Sequence, residues 1–301
     1  MNPLKELGQY GQSVWLDYIR RGLITSGELQ RMVVEDGLGG VTSNPAIFEK
    51  AITGSADYGD ALKTLQQRKD LSPMVLYEEL AIRDIKDAAD VLRPVYEKTK
   101  RRDGYVSLEV SPYLANDTEG TIEEARRPWR AVGRENLLVK VPATAAGIPA
   151  VEQLISEGIS VNVTLLFAQD TYEQVAQVYL KGLEKAVSRG LDLSKIASVA
   201  SFFVSRIDSS VDALAAARIK TATSAGERAL LQSIAGKVAI ANARLTYRRY
   251  KKIFHGDSWD ALVKKGAQTQ RVLWASTGTK KRAPPPHRRS STAGATWSSS
   301  T

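Results

Sequence analysis

The chain contains no cysteine and only two histidines, His255 and His287. The absence of thiols excludes disulfides, thiolate metal sites and a cysteine nucleophile. Both histidines lie far from the strand-like segments, which argues against a histidine-based triad or a histidine-rich metal site. We therefore expect a cytoplasmic protein without a protein-bound transition metal.

The sequence also lacks long apolar runs and, at its C-terminal end, acidic residues. No run approaches the roughly 18 apolar residues that a membrane span needs, and residues 1–6 lack the apolar region of a signal peptide. Of the net charge of +9, residues 280–301 carry +5 and no acidic residue, which leaves +4 on the rest. This modest excess favours an enzyme of anionic metabolites over a protein that binds nucleic acid or membranes.

Residues 1–279 alternate between strand-like and helix-like segments. Short apolar runs occupy residues 13–19, 39–44, 105–110, 137–143, 159–167, 196–204 and 271–276. Helical periodicity covers residues 72–100, 121–132, 146–157, 168–189 and 209–254, the last being long enough for two helices. Repeated strand–helix units without a GxGxxG loop predict an α/β fold of the TIM-type (β/α)8 barrel class rather than a dinucleotide-binding fold.

Polar side chains alternate with apolar ones in several predicted strands. In a barrel, the apolar set packs on the helices and the other set points to the axis. The polar set near the C-terminal strand ends, where such barrels build active sites, comprises Glu109, Lys140, Asn162 and Thr164. Because buried charges are costly unless paired, this set predicts an active site rather than an inert core.

Lys140 is the most informative member of this set, since Val139 and Val141 flank it in a strand-like run. Burial disfavours the charged ammonium, and a neutral amine is a nucleophile toward carbonyls. The alternative is a lysine at a strand end that extends to solvent.

Three further polar residues, Asp17, Asn44 and Arg206, could serve the local structure rather than a functional site. Asp17 could simply pair with a neighbouring arginine, Arg20 or Arg21. Asn44 precedes a proline and could be only a turn residue. Arg206 could pair with Asp208 or Glu227.

Six motifs, taken together and in this order, resemble those of the transaldolase family, whose members are Schiff-base enzymes of the pentose phosphate pathway. They are VWLD at 14–17, GVTSNP at 40–45, SLEV at 107–110, VKVPAT at 139–144, NVTLLF at 162–167 and SFFVSR at 201–206. Each motif alone is weak, but the set is specific and extends over residues 10–280.

The resemblance implies roles for individual residues. Lys140 would form the Schiff base, and Asp17 would act as acid and base at the C4 hydroxyl of the substrate. Glu109 and Thr164 would hold a catalytic water. The substrate-binding residues that the resemblance implies are Asn44, Asn162, Ser201, Phe203, Arg206, Ser276 and Lys280, with Arg206 as the phosphate-binding arginine.

The implied activity is transfer of a dihydroxyacetone unit from sedoheptulose 7-phosphate or fructose 6-phosphate to glyceraldehyde 3-phosphate or erythrose 4-phosphate. No cofactor is implied, and a homodimer is compatible with the family. One alternative is a lyase that releases free dihydroxyacetone or cleaves a deoxyribose phosphate. Glu109 favours the transferase, because related free-ketose aldolases resemble this chain with a glutamine there. A third hypothesis is a non-catalytic, truncated barrel.

The C-terminal end departs from the family pattern. After residue 280, where an eighth strand–helix unit is expected, the sequence becomes basic and rich in proline and serine. We therefore predict a barrel over residues 1–280 and a disordered tail over residues 281–301. Without its eighth unit, the barrel would leave two strand edges unpaired.

Overall fold

The computed structural model describes residues 2–68, 72–278 and 294–299, the last segment by its backbone. Seven parallel strands, β1–β7, follow one another around a barrel, and an eighth strand, β8, lies between β7 and β1. The strands are β1 Gln12–Asp17, β2 Leu38–Thr42, β3 Tyr105–Glu109, β4 Leu137–Pro142, β5 Val161–Leu166, β6 Ser198–Phe203, β7 Arg271–Ala275 and β8 Gly294–Ser299. The predicted TIM-like α/β fold is confirmed.

Helices connect and surround the strands. They are α1 Pro3–Glu6, α2 Arg21–Thr25, α3 Glu28–Arg31, α4 Pro45–Gly54, α5 Gly59–Gln66, α6 Pro73–Lys98, α7 Thr118–Val132, α8 Gly147–Ser156, α9 Gln169–Ser188, α10 Ser205–Thr221, α11 Ala225–Ile234, α12 Val238–Ile253 and α13 Asp257–Val263. None of the helices in the described part of the chain is both long and apolar enough to cross a membrane.

Helix α6 shows how the local sequence specifies these elements. Ser72 caps its first turn by accepting a hydrogen bond from the Val75 backbone N–H, and Pro73 occupies the first helical position. Leu80, Ile85 and Leu92 then recur at helical spacing and are buried. The cap, the proline and the apolar stripe together fix where the helix begins and which face it buries.

Two hydrophobic clusters lie on opposite sides of the barrel wall, one outside it and one inside it. Val139, Val141 and the outward residues of the other strands pack with the helices in the larger cluster. Trp15, Tyr105 and Leu138 belong to a smaller cluster that fills the barrel interior below the polar residues. The predicted alternation is therefore confirmed for these strands.

Strand β5 departs from this alternation at its end. The sequence predicts Leu165 on the same face as Val161 and Val163, but Leu165 has a φ of 61° and is 40% exposed. The pairing register with β6 shifts between Val163 and Leu166, so Leu166 is buried in place of Leu165.

One helix prediction also needs correction. The segment 209–254 forms three helices, α10 to α12, rather than two. Breaks follow Thr221 and Ile234, where Ala222 and Ala235 leave the helical conformation.

The C-terminal prediction differs from the structure at residues 294–299. This segment forms β8, which pairs antiparallel with both β1 and β7. Without β8, the facing edges of β1 and β7 would have unpaired backbone groups. The sequence of Ala295–Ser298 includes a threonine and a tryptophan, which are residue types that favour strands. The barrel thus closes with an antiparallel strand instead of a parallel strand–helix unit. The other tail residues lie outside the described ranges, so the predicted division at residue 280 stays a prediction.

An ion pair on the helical layer provides a stability prediction. Arg126 donates two hydrogen bonds to the Glu157 carboxylate, one of them of 2.9 Å from Nε, and these bonds lower the Glu157 pKa from its usual 4.5. A depressed pKa stabilises the fold above the unfolded-state pKa, and this contribution is lost as the pH falls through the folded-state pKa. We expect the stability difference between Glu157→Gln and the parent chain to be largest near pH 7 and to shrink below about pH 4.5. Urea titrations across this pH range would measure it, and a constant difference would contradict the prediction.

Candidate active site

Lys140 is buried inside the barrel, where its ammonium group has two partners. The residue is 7% exposed, so the alternative that it extends to solvent is wrong. Its Nζ donates to Glu109 Oε2 at 2.9 Å and to the Ser43 carbonyl oxygen at 3.1 Å. Glu109 is the residue directly opposite Lys140 in the β3–β4 register. The lysine and a carboxylate are therefore held in contact at the C-terminal end of the barrel.

A row of three hydrogen-bonded side chains, Ser107, Asn162 and Ser201, crosses the barrel beside this pair. Asn162 lies opposite Lys140 in the β4–β5 register. Its Nδ2 donates to Ser107 Oγ at 3.0 Å, and its Oδ1 accepts from Ser201 Oγ at 2.7 Å. These two hydrogen bonds, both to serine hydroxyl groups, hold the Asn162 carboxamide from both of its ends. Thr164, two residues further along the same strand, is buried opposite Pro142.

Asp17 ends β1 and is bound to the neighbouring strand. Its Oδ1 accepts a hydrogen bond of 2.7 Å from Thr42 Oγ1, and these two residues are paired in the β1–β2 register. The alternative pairing with Arg20 or Arg21 is wrong, since these arginines pair with other aspartates. The pairs are Arg20–Asp57 at 3.7 Å and Arg21–Asp84 at 2.8 Å.

Asn44 combines a turn position with proximity to the lysine. Its Oδ1 accepts from the Ile47 backbone N–H at 3.0 Å, so Asn44 is the N-cap of α4 and Pro45 is its first residue. Asn44 is therefore a helix cap rather than only a turn residue. Asn44 also directly follows Ser43, whose carbonyl group contacts Lys140.

Arg206, Phe203 and Ser276 lie at the ends of β6 and β7. Arg206 is exposed, and its Cζ lies 4.6 Å from the centroid of the Phe203 ring. Phe203 also stacks on Phe167, with 5.1 Å between the ring centroids. Ser276 Oγ is 2.8 Å from Ser205 Oγ. Lys280, the remaining predicted residue, lies outside the described residues.

The acidic residues suggested as partners of Arg206 have other partners. Asp208 accepts a hydrogen bond of 2.9 Å from the Ala239 backbone N–H, and Glu227 pairs with Arg218 at 2.7 Å. Because Asp208 and Glu227 have these other partners, the contacts favour an Arg206 guanidinium that is available to an anionic ligand.

Several residues that complete the site were missed from the sequence. Thr42 and Ser43 hold Asp17 and Lys140, and Ser107 holds both Ser43 and Asn162. Signals for them existed, because Thr42 and Ser43 lie within the GVTSNP motif and Ser107 shares a strand face with Glu109. Their partners on other strands could not be read from a linear sequence.

Tyr77 was also missed, since its position in α6 gave no functional signal. Its ring lines a cavity of about 590 Å³ that Glu109 also lines, between α4, α6 and α7. Burial and then the negative charge of Glu109 raise the pKa of Tyr77 to about 12.

The assembled groups have a clear chemical capacity. A buried amine in contact with a carboxylate can lose its proton and attack a carbonyl carbon. The second carboxylate, on Asp17, can move a proton at a substrate hydroxyl. An exposed arginine at the rim can bind a phosphoryl group through two parallel hydrogen bonds.

Comparison with known proteins agrees with this capacity. The sequence model for transaldolase and fructose-6-phosphate aldolase matches residues 14–288. A transaldolase from Trichodesmium erythraeum is 52% identical over 279 residues, which cover 93% of this chain and 73% of the relative. Transaldolase 2 from Nostoc punctiforme is 54% identical over 280 residues, with the same shares of the two chains. A transaldolase from Thiobacillus denitrificans is 47% identical over 280 residues, 93% of this chain and 76% of the relative. The chain therefore belongs to the transaldolase/fructose-6-phosphate aldolase family.

Proposed function

We propose that this enzyme is a transaldolase that moves a dihydroxyacetone unit between sugar phosphates through an imine on Lys140. The observation that carries the proposal is the contact of the buried Lys140 amine with Glu109, at 2.9 Å. The donors would be sedoheptulose 7-phosphate and fructose 6-phosphate, and the acceptors glyceraldehyde 3-phosphate and erythrose 4-phosphate. A cytoplasmic location and a homodimer are part of the proposal, and light scattering of the purified chain would test the dimer.

The reaction begins with formation of the imine. Glu109 takes a proton from the Lys140 ammonium, and the neutral amine attacks the C2 carbonyl of the ketose phosphate. The resulting carbinolamine loses water, with Glu109 and Thr164 holding the water that relays the protons. The product is a protonated imine, which is an electron sink next to C3.

Cleavage and transfer follow from this electron sink. Asp17 removes the proton from the C4 hydroxyl, the C3–C4 bond breaks, and its electron pair moves into the imine to give an enamine. The shortened aldose phosphate leaves. The enamine carbon C3 then attacks the acceptor aldehyde, Asp17 returns the proton to the new hydroxyl, and hydrolysis frees Lys140.

The remaining residues would bind substrate. Asn44 and Asn162 would hold the hydroxyl groups of the dihydroxyacetone unit, since Asn162 lies opposite Lys140 in the β4–β5 register and Asn44 follows Ser43, whose carbonyl group contacts Lys140. Ser201 would fix the Asn162 amide through its hydrogen bond of 2.7 Å, and Phe203 would form an apolar wall under the guanidinium of Arg206. Arg206, Ser276 and Lys280 would bind the phosphate.

A lyase that releases free dihydroxyacetone is the second candidate function. The same steps at Lys140 and Asp17 would serve this lyase. The two functions differ in the fate of the enamine, which either attacks an aldehyde acceptor or is protonated and then released by hydrolysis of the imine. Glu109 favours transfer, because related free-ketose aldolases resemble this chain with a glutamine at that position. Assays with fructose 6-phosphate, with and without erythrose 4-phosphate, separate the two. We expect sedoheptulose 7-phosphate only with the acceptor, and equal turnover without it would contradict the transferase proposal.

The phosphate-binding role of Arg206 can be tested by Arg206→Gln. Removing a charge-assisted contact to phosphate is expected to raise KM for fructose 6-phosphate by about tenfold to a hundredfold, since such contacts contribute roughly 1.5–3 kcal/mol. The change in kcat should be smaller. Arg218→Gln on the same helix is the matched control, and an unchanged KM in Arg206→Gln would contradict the role.

A further inference from the structure

A second cavity lies at the opposite end of the barrel from Lys140. Its volume is about 620 Å³, and its lining includes Arg102 just before β3, Ser194 before β6 and Arg271 at the start of β7. These are the N-terminal ends of the strands, whereas the catalytic groups lie at the C-terminal ends. The cavity is therefore separate from the sugar-phosphate site.

The lining of this cavity is strongly cationic. Lys100, Arg101, Arg102 and Arg271 line it, and Asp260 is the one acidic residue among the described residues of the lining. Arg271 is 3.4 Å from Asp103. Across residues 2–68 and 72–278, neither Lys100, Arg101 nor Arg102 forms an ion pair. Three positive charges thus line a concave space, and no carboxylate of the described residues lies within ion-pair distance of them.

The loop that carries these three charges has an unusual backbone. Lys100 and Arg101 have φ values of 54° and 66°, in a region of backbone conformation that residues other than glycine rarely occupy. The Tyr105 hydroxyl donates to the Arg101 carbonyl oxygen at 2.5 Å, and the Asp103 N–H donates to Thr99 Oγ1 at 3.0 Å. These bonds hold the loop, and with it the three cations, in a conformation that the sequence alone does not favour.

We propose that this cavity binds a small anion that carries two or more linked phosphoryl groups. The volume lies in the range of small-molecule sites, roughly 300–1,000 Å³. Guanidinium groups match phosphoryl oxygens in geometry, and several adjacent cations suit a ligand with several adjacent negative charges. The proposal goes beyond the proposed sugar-phosphate chemistry, because the site contains none of the catalytic residues.

The test uses the full chain and inorganic tripolyphosphate, titrated by calorimetry. We expect saturable binding at one site that fructose 6-phosphate does not displace. Lys100→Asn combined with Arg102→Gln should weaken it at least tenfold, and asparagine tolerates the backbone conformation at position 100. Lys264→Gln with Lys265→Gln removes the same charge outside the cavity lining and should leave binding within twofold.

A second pair of variants controls for loss of binding through misfolding. Val263 lines the cavity and is 46% exposed, so both Val263→Glu and Val263→Gln should fold. The glutamate should abolish tripolyphosphate binding and the glutamine should retain it. Tighter binding of ATP than of tripolyphosphate would identify a nucleotide, and equal binding would identify the polyphosphate group alone. Absent binding, displacement by fructose 6-phosphate, or equal effects of the paired variants would overturn the proposal.

Discussion

Replacing Lys140 with methionine is expected to lower kcat/KM for dihydroxyacetone transfer by at least about a thousandfold, because no other step can replace the covalent one. Methionine has a similar length but no nitrogen, so it cannot form the imine. It also leaves the Ser43 carbonyl and Glu109 without their donor. A coupled assay with fructose 6-phosphate and erythrose 4-phosphate would measure the loss.

The control for this variant must separate chemistry from folding. Loss of a buried partner costs about 1–3 kcal/mol of stability, so circular dichroism and thermal unfolding should confirm that Lys140→Met is folded at the assay temperature. Lys185→Met removes a lysine whose side chain is 54% exposed and paired with Glu152. We expect its kcat/KM to stay within twofold of the parent value. A folded Lys140→Met with parental activity would contradict the assigned role.

Replacing Asp17 with asparagine is expected to lower kcat by about a hundredfold to ten-thousandfold, the range for a lost general base. The asparagine carbonyl can still accept the hydrogen bond that Thr42 Oγ1 donates to Asp17 at 2.7 Å. It cannot take the proton from the C4 hydroxyl. Imine formation precedes that step, so Asp17→Asn should accumulate the imine of fructose 6-phosphate on Lys140.

The accumulated imine distinguishes a lost base from a distorted site. Borohydride treatment during turnover should trap more adduct in Asp17→Asn than in the parent chain. Thr42→Val is the matched control, because it removes the hydrogen bond to Asp17 but keeps the carboxylate. We expect it to lower kcat by about tenfold, as the loss of one neutral–charged hydrogen bond implies. Equal losses of kcat in the two variants would argue that Asp17 acts only through its position.

Much of the fold follows from local patterns in the sequence. Strands such as β3 and β4 alternate strictly between a helix-facing and an axis-facing side, and this alternation alone places Glu109 and Lys140 in the interior. Their contact does not follow from the alternation, because it depends on the β3–β4 register, in which Glu109 lies opposite Lys140. The start of α6 is equally local, since a serine cap and a proline specify it.

Other features depend on partners that are distant in sequence. The positive φ at Leu165 arises where β5 loses register with β6, and no residue near Leu165 indicates it. The breaks in the segment 209–254 occur at two alanines, Ala222 and Ala235, and alanine favours helix, so helical periodicity could not predict them. Asp17 seemed able to pair with an adjacent arginine, yet Arg21 pairs with Asp84 on α6, 63 positions away.

Strand β8 bears on the hypothesis of a truncated, inactive barrel. The sequence suggested two unpaired strand edges, but the backbone of residues 294–299 pairs with β1 on one side and β7 on the other. Pairing with β8 occupies the backbone edge of the strand that ends at Asp17 over Gln12–Asp17. The residues proposed to be catalytic, on β1, β3, β4 and β5, therefore belong to a closed sheet, which favours the enzyme over the truncated hypothesis.

The imine on Lys140 is the central claim, and trapping it is the most direct test. The chain would be incubated with fructose 6-phosphate and sodium borohydride, digested and analysed by mass spectrometry. We expect one reduced adduct with the mass of the dihydroxyacetone unit or of the hexose phosphate, on the peptide that contains Lys140. Folded protein with no adduct on Lys140, or with an adduct on another lysine, would contradict the mechanism.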